Sequence, residues 1–191
     1  MRIEKDQFNL RQGFTLLEII SSLAVLAIIM TMLVMGLGGV MPASKSKRAT
    51  TDIIRIQHAL ETYKGGFGEY PKKGMVAGLS TMEEILFNAL AGRLAPNGSF
   101  GNFKSLIDRN SLEFANGNFP IAGEAAEPVL NEIIDPWGNA YQYRFDPDGG
   151  SWKNFNYVLF SKGPDGASTD IPPSGQKNEN VANNQDNIYA Q

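Results

Sequence analysis

The chain has 191 residues, 20 acidic against 17 basic side chains, a net charge of −3, no cysteine and one histidine. The acidic balance argues against nucleic-acid binding by charge. The missing cysteines exclude disulfides and thiolate metal sites, and a lone His58 excludes multi-histidine metal sites and argues against a histidine-based triad.

Residues 1–13 form a short polar leader that ends at Gly13. From Phe14 to Val40 every residue is apolar, small or hydroxyl-bearing except Glu18. At about 1.5 Å per residue such a run, taken as a helix, can cross a hydrocarbon core of roughly 30 Å. It is also longer than the apolar region of about 7–15 residues in a cleavable secretory signal, and Val40-Met-Pro-Ala-Ser44 is a poor small-x-small site. A carboxylate in such a span costs roughly 2.5–3.5 kcal/mol at the centre and less near an end, so Glu18 needs a partner or a job. Arg2, Lys5 and Arg11 precede the run and Lys45, Lys47 and Arg48 follow it, so flanking charge does not set an orientation.

The Gly36-Leu-Gly-Gly39 cluster and Pro42 predict a bend or a melted turn. Residues 41–63 continue as an amphipathic helix, with Ile53, Ile56, Leu60 and Tyr63 on one face at helical spacing. Ala49, Thr50, Asp52, Arg55, Gln57 and Glu61 fall on the other faces, and His58 reads as a solvated surface histidine. Lys64-Gly-Gly-Phe-Gly68 ends the helix, with Tyr70-Pro71 beyond. Ser80-Thr-Met-Glu83 has capping-box spacing, and Met82, Ile85, Leu86, Ala89 and Leu90 predict a second helix ending at Gly92. Residues 93–128 are rich in Gly, Asn, Pro and Ala and read as a long irregular connection, with a short helix around Lys104–Asn110.

Asp135-Pro-Trp-Gly138 predicts a tight turn around a large aromatic, with Trp137 as a core anchor. Ala140–Phe145 alternates as a strand, Asp146–Gly150 connects, and Asn156–Phe160 is a second strand, together an antiparallel hairpin. Asp146 and Asp148 mimic part of a calcium-loop spacing, but no bidentate acid follows at the right distance, so this connection reads as an ordinary turn. The next loop, Ser161 to Ile171, carries a Gly-Pro-Asp-Gly turn and two acids, Asp165 and Asp170. The Asn-, Gln- and Pro-rich residues 172–191 read as a mobile tail.

Gly13-Phe14-Thr-Leu-Leu-Glu18 resembles the processing and methylation motif of type IV prepilins and type II secretion pseudopilins. Tyr63 with Tyr70-Pro71, and Asp135-Pro-Trp-Gly138 with the Tyr-rich strand after it, resemble the head of the major pseudopilin of type II secretion. The resemblance implies an α+β, type IV pilin-like fold, in which a long N-terminal helix packs on a small antiparallel β-sheet head. Its divisions would be leader 1–13, transmembrane and assembly helix 14–40, amphipathic continuation 41–63, periplasmic head 64–171 and tail 172–191. It implies cleavage after Gly13 by a prepilin peptidase, N-methylation of Phe14, and neutralisation of a neighbouring subunit's new amine by Glu18. Expected partners are further copies of the chain, minor pseudopilins and an inner-membrane assembly platform, with the head in the periplasm and no nucleic acid. It also implies one calcium ion in the loop after the last strand, with carboxylates from Asp165 and Asp170 and further oxygens from Ser161, Gly163 and Ser168. Thr169 stands where the family pattern has a further aspartate.

Three functions of different classes follow. The first is a structural subunit of a secretion pseudopilus. The second is a type IV pilin for adhesion, motility or DNA uptake, against which stand the missing disulfide loop and the Asp-Pro-Trp-Gly motif. The third is a membrane-anchored periplasmic binding module or hydrolase, for which no nucleophile elbow, metal-binding histidine pair or acid–base pair is visible.

Overall fold

A computed structural model describes residues 14–72, 74, 78–121, 123–178 and 180–191, with the side chains of residues 33–42 outside that set. Gly13 and the rest of the leader also lie outside it. The fold is α+β, and the chain divides into two units, Met1–Met41 and Pro42–Gln191. Helix α1 runs over Leu16–Phe67. Its helical assignment continues through Gly36–Gly39 and Pro42, so the melted turn expected there does not form. Proline removes one N–H from the ladder, and the turns on both sides keep theirs.

In the first unit the side chains from Phe14 to Met32 are exposed, large aliphatic residues included. Among the described residues no helix is long and apolar enough to cross a membrane. Along the apolar run to Val40 the side chains are described only as far as Met32.

In the second unit α1 buries the predicted stripe of Ile53, Ile56, Leu60 and Tyr63, joined by Ala49 and Ala59. Tyr63 satisfies its hydroxyl on the Leu94 carbonyl at 2.9 Å, so a large aromatic enters the core with no orphaned polar atom. The helix passes Tyr63 by one turn: Gly65 and Gly66 stay helical, and Gly68, at φ +85°, closes the end with its N–H on the Lys64 carbonyl. Helix α2, Met82–Leu90, starts on a full capping box: Thr81 accepts from the Glu84 N–H while Glu84 accepts from the Thr81 N–H. The reciprocating acid is Glu84, one residue beyond the expected Glu83.

Strands β1 (Glu113–Phe114) and β2 (Ile133–Ile134) pair antiparallel. Strands β3 (Gln142–Arg144), β4 (Val158–Ser161) and β5 (Ile188–Tyr189) form a second antiparallel sheet in the order β3-β4-β5. The core lies among α1, α2 and this sheet, with Tyr141, Tyr143 and Leu159 fully buried. No helix forms around 104–110; the segment is instead held by single bonds such as Leu106 N–H to the Leu90 carbonyl.

Two further expectations are overturned. The described part of the tail is built into the head: it carries a 3₁₀ turn at Ala182–Asn184 and supplies β5, which covers the outer edge of β4. Its few apolar residues are concentrated in Ile188-Tyr189, and the tyrosine ring packs on Phe160 at 4.8 Å. Asp52, placed on an outer face of α1, is 2% exposed. Arg55 pairs with it at 3.0 Å and also donates to the Ser111 carbonyl, while Arg48 bridges it at 3.9 Å and holds Glu113 at 2.7 Å. A non-helical segment, 108–113, thus closes over a face of α1 that periodicity assigns to solvent.

Burial pushes the Asp52 carboxyl above its ordinary value, with Arg48 and Arg55 pulling it part of the way back. The folded chain therefore takes up this proton more readily than the unfolded chain. Protonation stabilises the fold fully below the unfolded value, and that gain is lost as pH rises through the folded one. Asp52→Asn removes the dependence. In thermal melts the parent should gain on the variant as pH is lowered from 7 to about 4; a parent that loses ground on acidification contradicts this account.

Candidate functional site

Two sites emerge from the residues upward: the start of α1 and the loop that follows β4. Thr15 is the residue before α1, and its Oγ accepts from the Glu18 N–H at 3.3 Å while its carbonyl takes the same N–H at 3.1 Å. Thr15-x-x-Glu18 is thus a helix start in its own right, a cap that the motif reading alone overlooks. An acid in the first turn also suits the positive end of the helix dipole. Ser21 and Ser22 both donate back to the Glu18 carbonyl, at 3.0 and 2.7 Å. Two serines therefore spend their hydroxyls inside the helix, as hydroxyls do where water is scarce. Among the described residues the Glu18 carboxylate has no hydrogen-bond or ion-pair partner, and both Glu18 and Phe14 are exposed.

The second site is organised by Asp135. Its carboxylate is fully buried. One oxygen accepts from the N–H groups of Trp137 and Asn139 at 3.0 and 2.9 Å, which shapes the Asp-Pro-Trp-Gly turn. The other accepts from the Ser161 hydroxyl at 2.6 Å, and that hydroxyl in turn accepts from the Gly163 N–H at 3.1 Å. The turn before β3 and the loop after β4 are therefore one hydrogen-bonded unit. Trp137, expected as a core anchor, is only half-buried and stands outside the core cluster. The acid, not the aromatic, anchors the motif, because the turn's N–H groups need a buried acceptor.

The tail closes the loop from the other side. Gly163 takes φ +71°, and a side chain there would run into the Asp186 carbonyl, so only glycine lets the two segments approach. Asp186 Oδ2 accepts from the Asp165 N–H at 3.2 Å. Asn184, 3% exposed, accepts from the Thr169 N–H at 2.9 Å and donates to its hydroxyl at 2.7 Å.

The predicted metal donors are distributed accordingly. Asp165 is exposed and caps the Ala167 N–H at 2.8 Å. Asp170 is exposed and lines a small cavity with Thr169, Lys177 and Asn184. Asp165 is not among the residues that line that cavity. The Ser161 hydroxyl is committed to Asp135, the Gly163 carbonyl takes the Gly166 N–H at 3.4 Å, and Ser168 is half-buried. Among the described residues no three or more His, Asp or Glu side chains gather as a metal site. The carboxylate that does come to the Gly163–Asp165 backbone is Asp186, which sequence reasoning missed; the Ile188-Tyr189 pair after it was the available signal that the tail returns to the sheet.

The prokaryotic N-terminal methylation motif matches residues 8–34, which include the Gly13-Phe14 junction, Thr15 and Glu18. The chain thus carries a prepilin-type N-terminal motif on an α+β fold that is consistent with the type IV pilin-like fold. It is similar to type II secretion system core protein G of Pectobacterium carotovorum, 26% identical over 156 residues that cover 82% of this chain and 78% of the relative. Core protein G of Escherichia coli is 28% identical over 82% of this chain and 83% of its own length. That of Klebsiella pneumoniae is 25% identical over 91% of this chain and 94% of its own. No solved structure matches the chain.

Replacing Asp135 by alanine leaves a buried hydroxyl and two turn N–H groups without their acceptor. The expected cost is about 2–4 kcal/mol, against roughly 1 kcal/mol for Ser161→Ala. Urea unfolding followed by tryptophan fluorescence measures both. An Asp135→Ala chain no less stable than Ser161→Ala would remove Asp135 as the organiser.

Proposed function

We propose that this chain is a structural subunit, not an enzyme, of the periplasmic pseudopilus of a type II protein secretion system. The observation that carries the reading is the exposed apolar helix with a capped, unpaired Glu18 directly after the Gly13-Phe14 junction. The similarity to three core G proteins along most of the chain supports secretion over adhesion. A prepilin peptidase cuts after Gly13 and methylates the Phe14 amine. The chain sits in the inner membrane as a single pass, with its head in the periplasm. An inner-membrane platform and minor pseudopilins then add it to a filament, where the helix packs against further copies and Glu18 neutralises the amine of a neighbour. Exposed apolar side chains are buried by that packing, and a carboxylate costly in lipid acquires a cation.

Gly13→Ala should leave the leader attached, raising the intact mass of the membrane-extracted chain and abolishing methylation. Glu18→Ala should leave processing intact while filaments and secretion are lost. A mature, methylated product from Gly13→Ala rejects the processing step, and normal filaments from Glu18→Ala reject the assembly step.

One calcium ion at the loop after β4 is part of the proposal. Asp186 brings its carboxylate to the Asp165 N–H, and Asp165 carries its own on the same turn, a donor chemistry suited to a hard cation. Asp170 supplies the remaining acid of the loop. Calcium should raise the thermal midpoint, chelator should lower it, and Asp165→Asn or Asp186→Asn should abolish the difference. Melts indifferent to both calcium and chelator remove the ion.

A further inference from the structure

The described part of the head carries an exposed aromatic knob and an open groove whose apolar walls its own fold leaves uncovered. Phe155 stands 97% exposed in the connection between β3 and β4, the most exposed large apolar side chain in the described chain. Its loop is pinned. The Lys153 N–H donates to the Ser174 carbonyl at 2.9 Å, and the Asn154 side chain donates to the Gly175 carbonyl at 3.0 Å and accepts from the Asn156 N–H at 3.0 Å. Trp152 packs on Phe145 and lies against Gly175. An aromatic held out on an anchored loop loses little further freedom when a partner covers it. Lys153, two residues before it, is exposed and has no ion-pair partner among the described residues.

The groove, of about 400 Å³, lies in the segment 119–129 and is walled by Phe119, Pro120, Pro128 and Val129. Both of its sides are built rather than loose. Arg93, 4% exposed, turns its guanidinium to the carbonyls of Ile121 and Glu124 and to Asn102. Asn88, fully buried, clasps Val129 by donating to its carbonyl and accepting from its N–H, each at 2.9 Å. Exposed Ile121 and Leu130 flank the groove. Its rim carries Glu124 and Glu127, neither paired with a cation among the described residues. Arg93 also lines the groove, with its donors spent on the carbonyls of Ile121 and Glu124 and on Asn102. A second hollow, by Phe67 and Phe103, is a poorer match for a cationic knob: its Lys72 is paired with both Glu69 and Asp148, so it presents a lysine and no unpaired acid pair.

We propose that the Lys153–Phe155 knob of one copy docks in the 119–129 groove of the next copy in the filament, with Phe155 between the apolar walls and Lys153 on the Glu124–Glu127 rim. This rests on the pseudopilus reading. A knob seated in the next copy's groove without the reciprocal contact is heterologous, and it propagates as a filament where the rotation between copies does not close. It also gives a role to the long irregular connection, whose groove-forming part has no other assignment.

The chain has no cysteine, so pairs can be introduced cleanly. Full-length chains carrying Asn156→Cys or Leu130→Cys, with different tags, are co-expressed with the secretion system and treated in membranes with a short bis-maleimide. Ser21→Cys copies report helix packing in parallel. The expected result is a mixed 156–130 adduct that falls at least about fivefold with Phe155→Ser or Lys153→Glu, as for loss of a central anchor. Glu124→Lys with Glu127→Lys on the groove copy should restore the Lys153→Glu adduct, which a folding defect would not do. Helix adducts without the mixed head adduct overturn the docking alone. Loss of both in the parent background overturns the filament reading and the docking with it. A head adduct unmoved by Phe155→Ser or by the charge swap also overturns it.

Discussion

A carboxylate one turn into an otherwise apolar helix is the constraint on which this chain depends. Twelve large apolar side chains between Phe14 and Met32 are at least half exposed in the isolated chain. Covering each fully is worth about 1.5–3 kcal/mol, tens of kcal/mol together. On insertion scales a charged residue costs roughly 2.5–3.5 kcal/mol at the helix centre and less near an end, where Glu18 lies. Burial of the helix therefore wins by a wide margin, and in the proposed filament Glu18 decides which burial is chosen. In a bilayer alone its charge is a penalty; beside a neighbour's amine it is matched. The Thr15 cap and the backward-bonded Ser21 and Ser22 fit the same need, since they satisfy polar groups inside the helix itself.

The head answers a different requirement, that of a rigid body on a small core. Asp135 ties the turn before β3 to the loop after β4, and the tail ties that loop a second time through Asn184 and Asp186. Gln57 on α1 reaches the Gln191 carbonyl at 2.9 Å, so the last residue described is fastened to the amphipathic part of the helix. A bound cation at Asp165 and Asp186 would strengthen a closure that hydrogen bonds already make. Stiff loops matter to a filament because neighbour contacts are only as well defined as the surfaces that make them.

Much of this was legible where local chemistry decides. Helical spacing picked out Ile53, Ile56, Leu60 and Tyr63, all buried, and Ser80-Thr81 marked the start of α2. The glycine and aromatic pattern placed β3 and β4 to within two residues or so. What escaped was set by distant segments. Asp52 looks solvent-facing until Arg48, Arg55 and the 108–113 segment surround it. Trp137 drew attention by size, whereas the buried acceptor at Asp135 does the organising. The tail has a composition typical of disorder, yet two apolar residues at Ile188-Tyr189 suffice to dock it on a waiting strand edge. Asp186 could not be recognised before that docking was known.

The central claim is that Glu18 finds its cation on another copy of the chain. Filaments assembled from an equal mixture of ordinary and heavy-nitrogen subunits can be treated with a zero-length carbodiimide and read by mass spectrometry. The account predicts a linked peptide joining the Phe14 amine of one isotopic form to the Glu18 side chain of the other. Intact filaments that yield no Phe14–Glu18 link between isotopic forms, or that place Glu18 on a lysine instead, would contradict it.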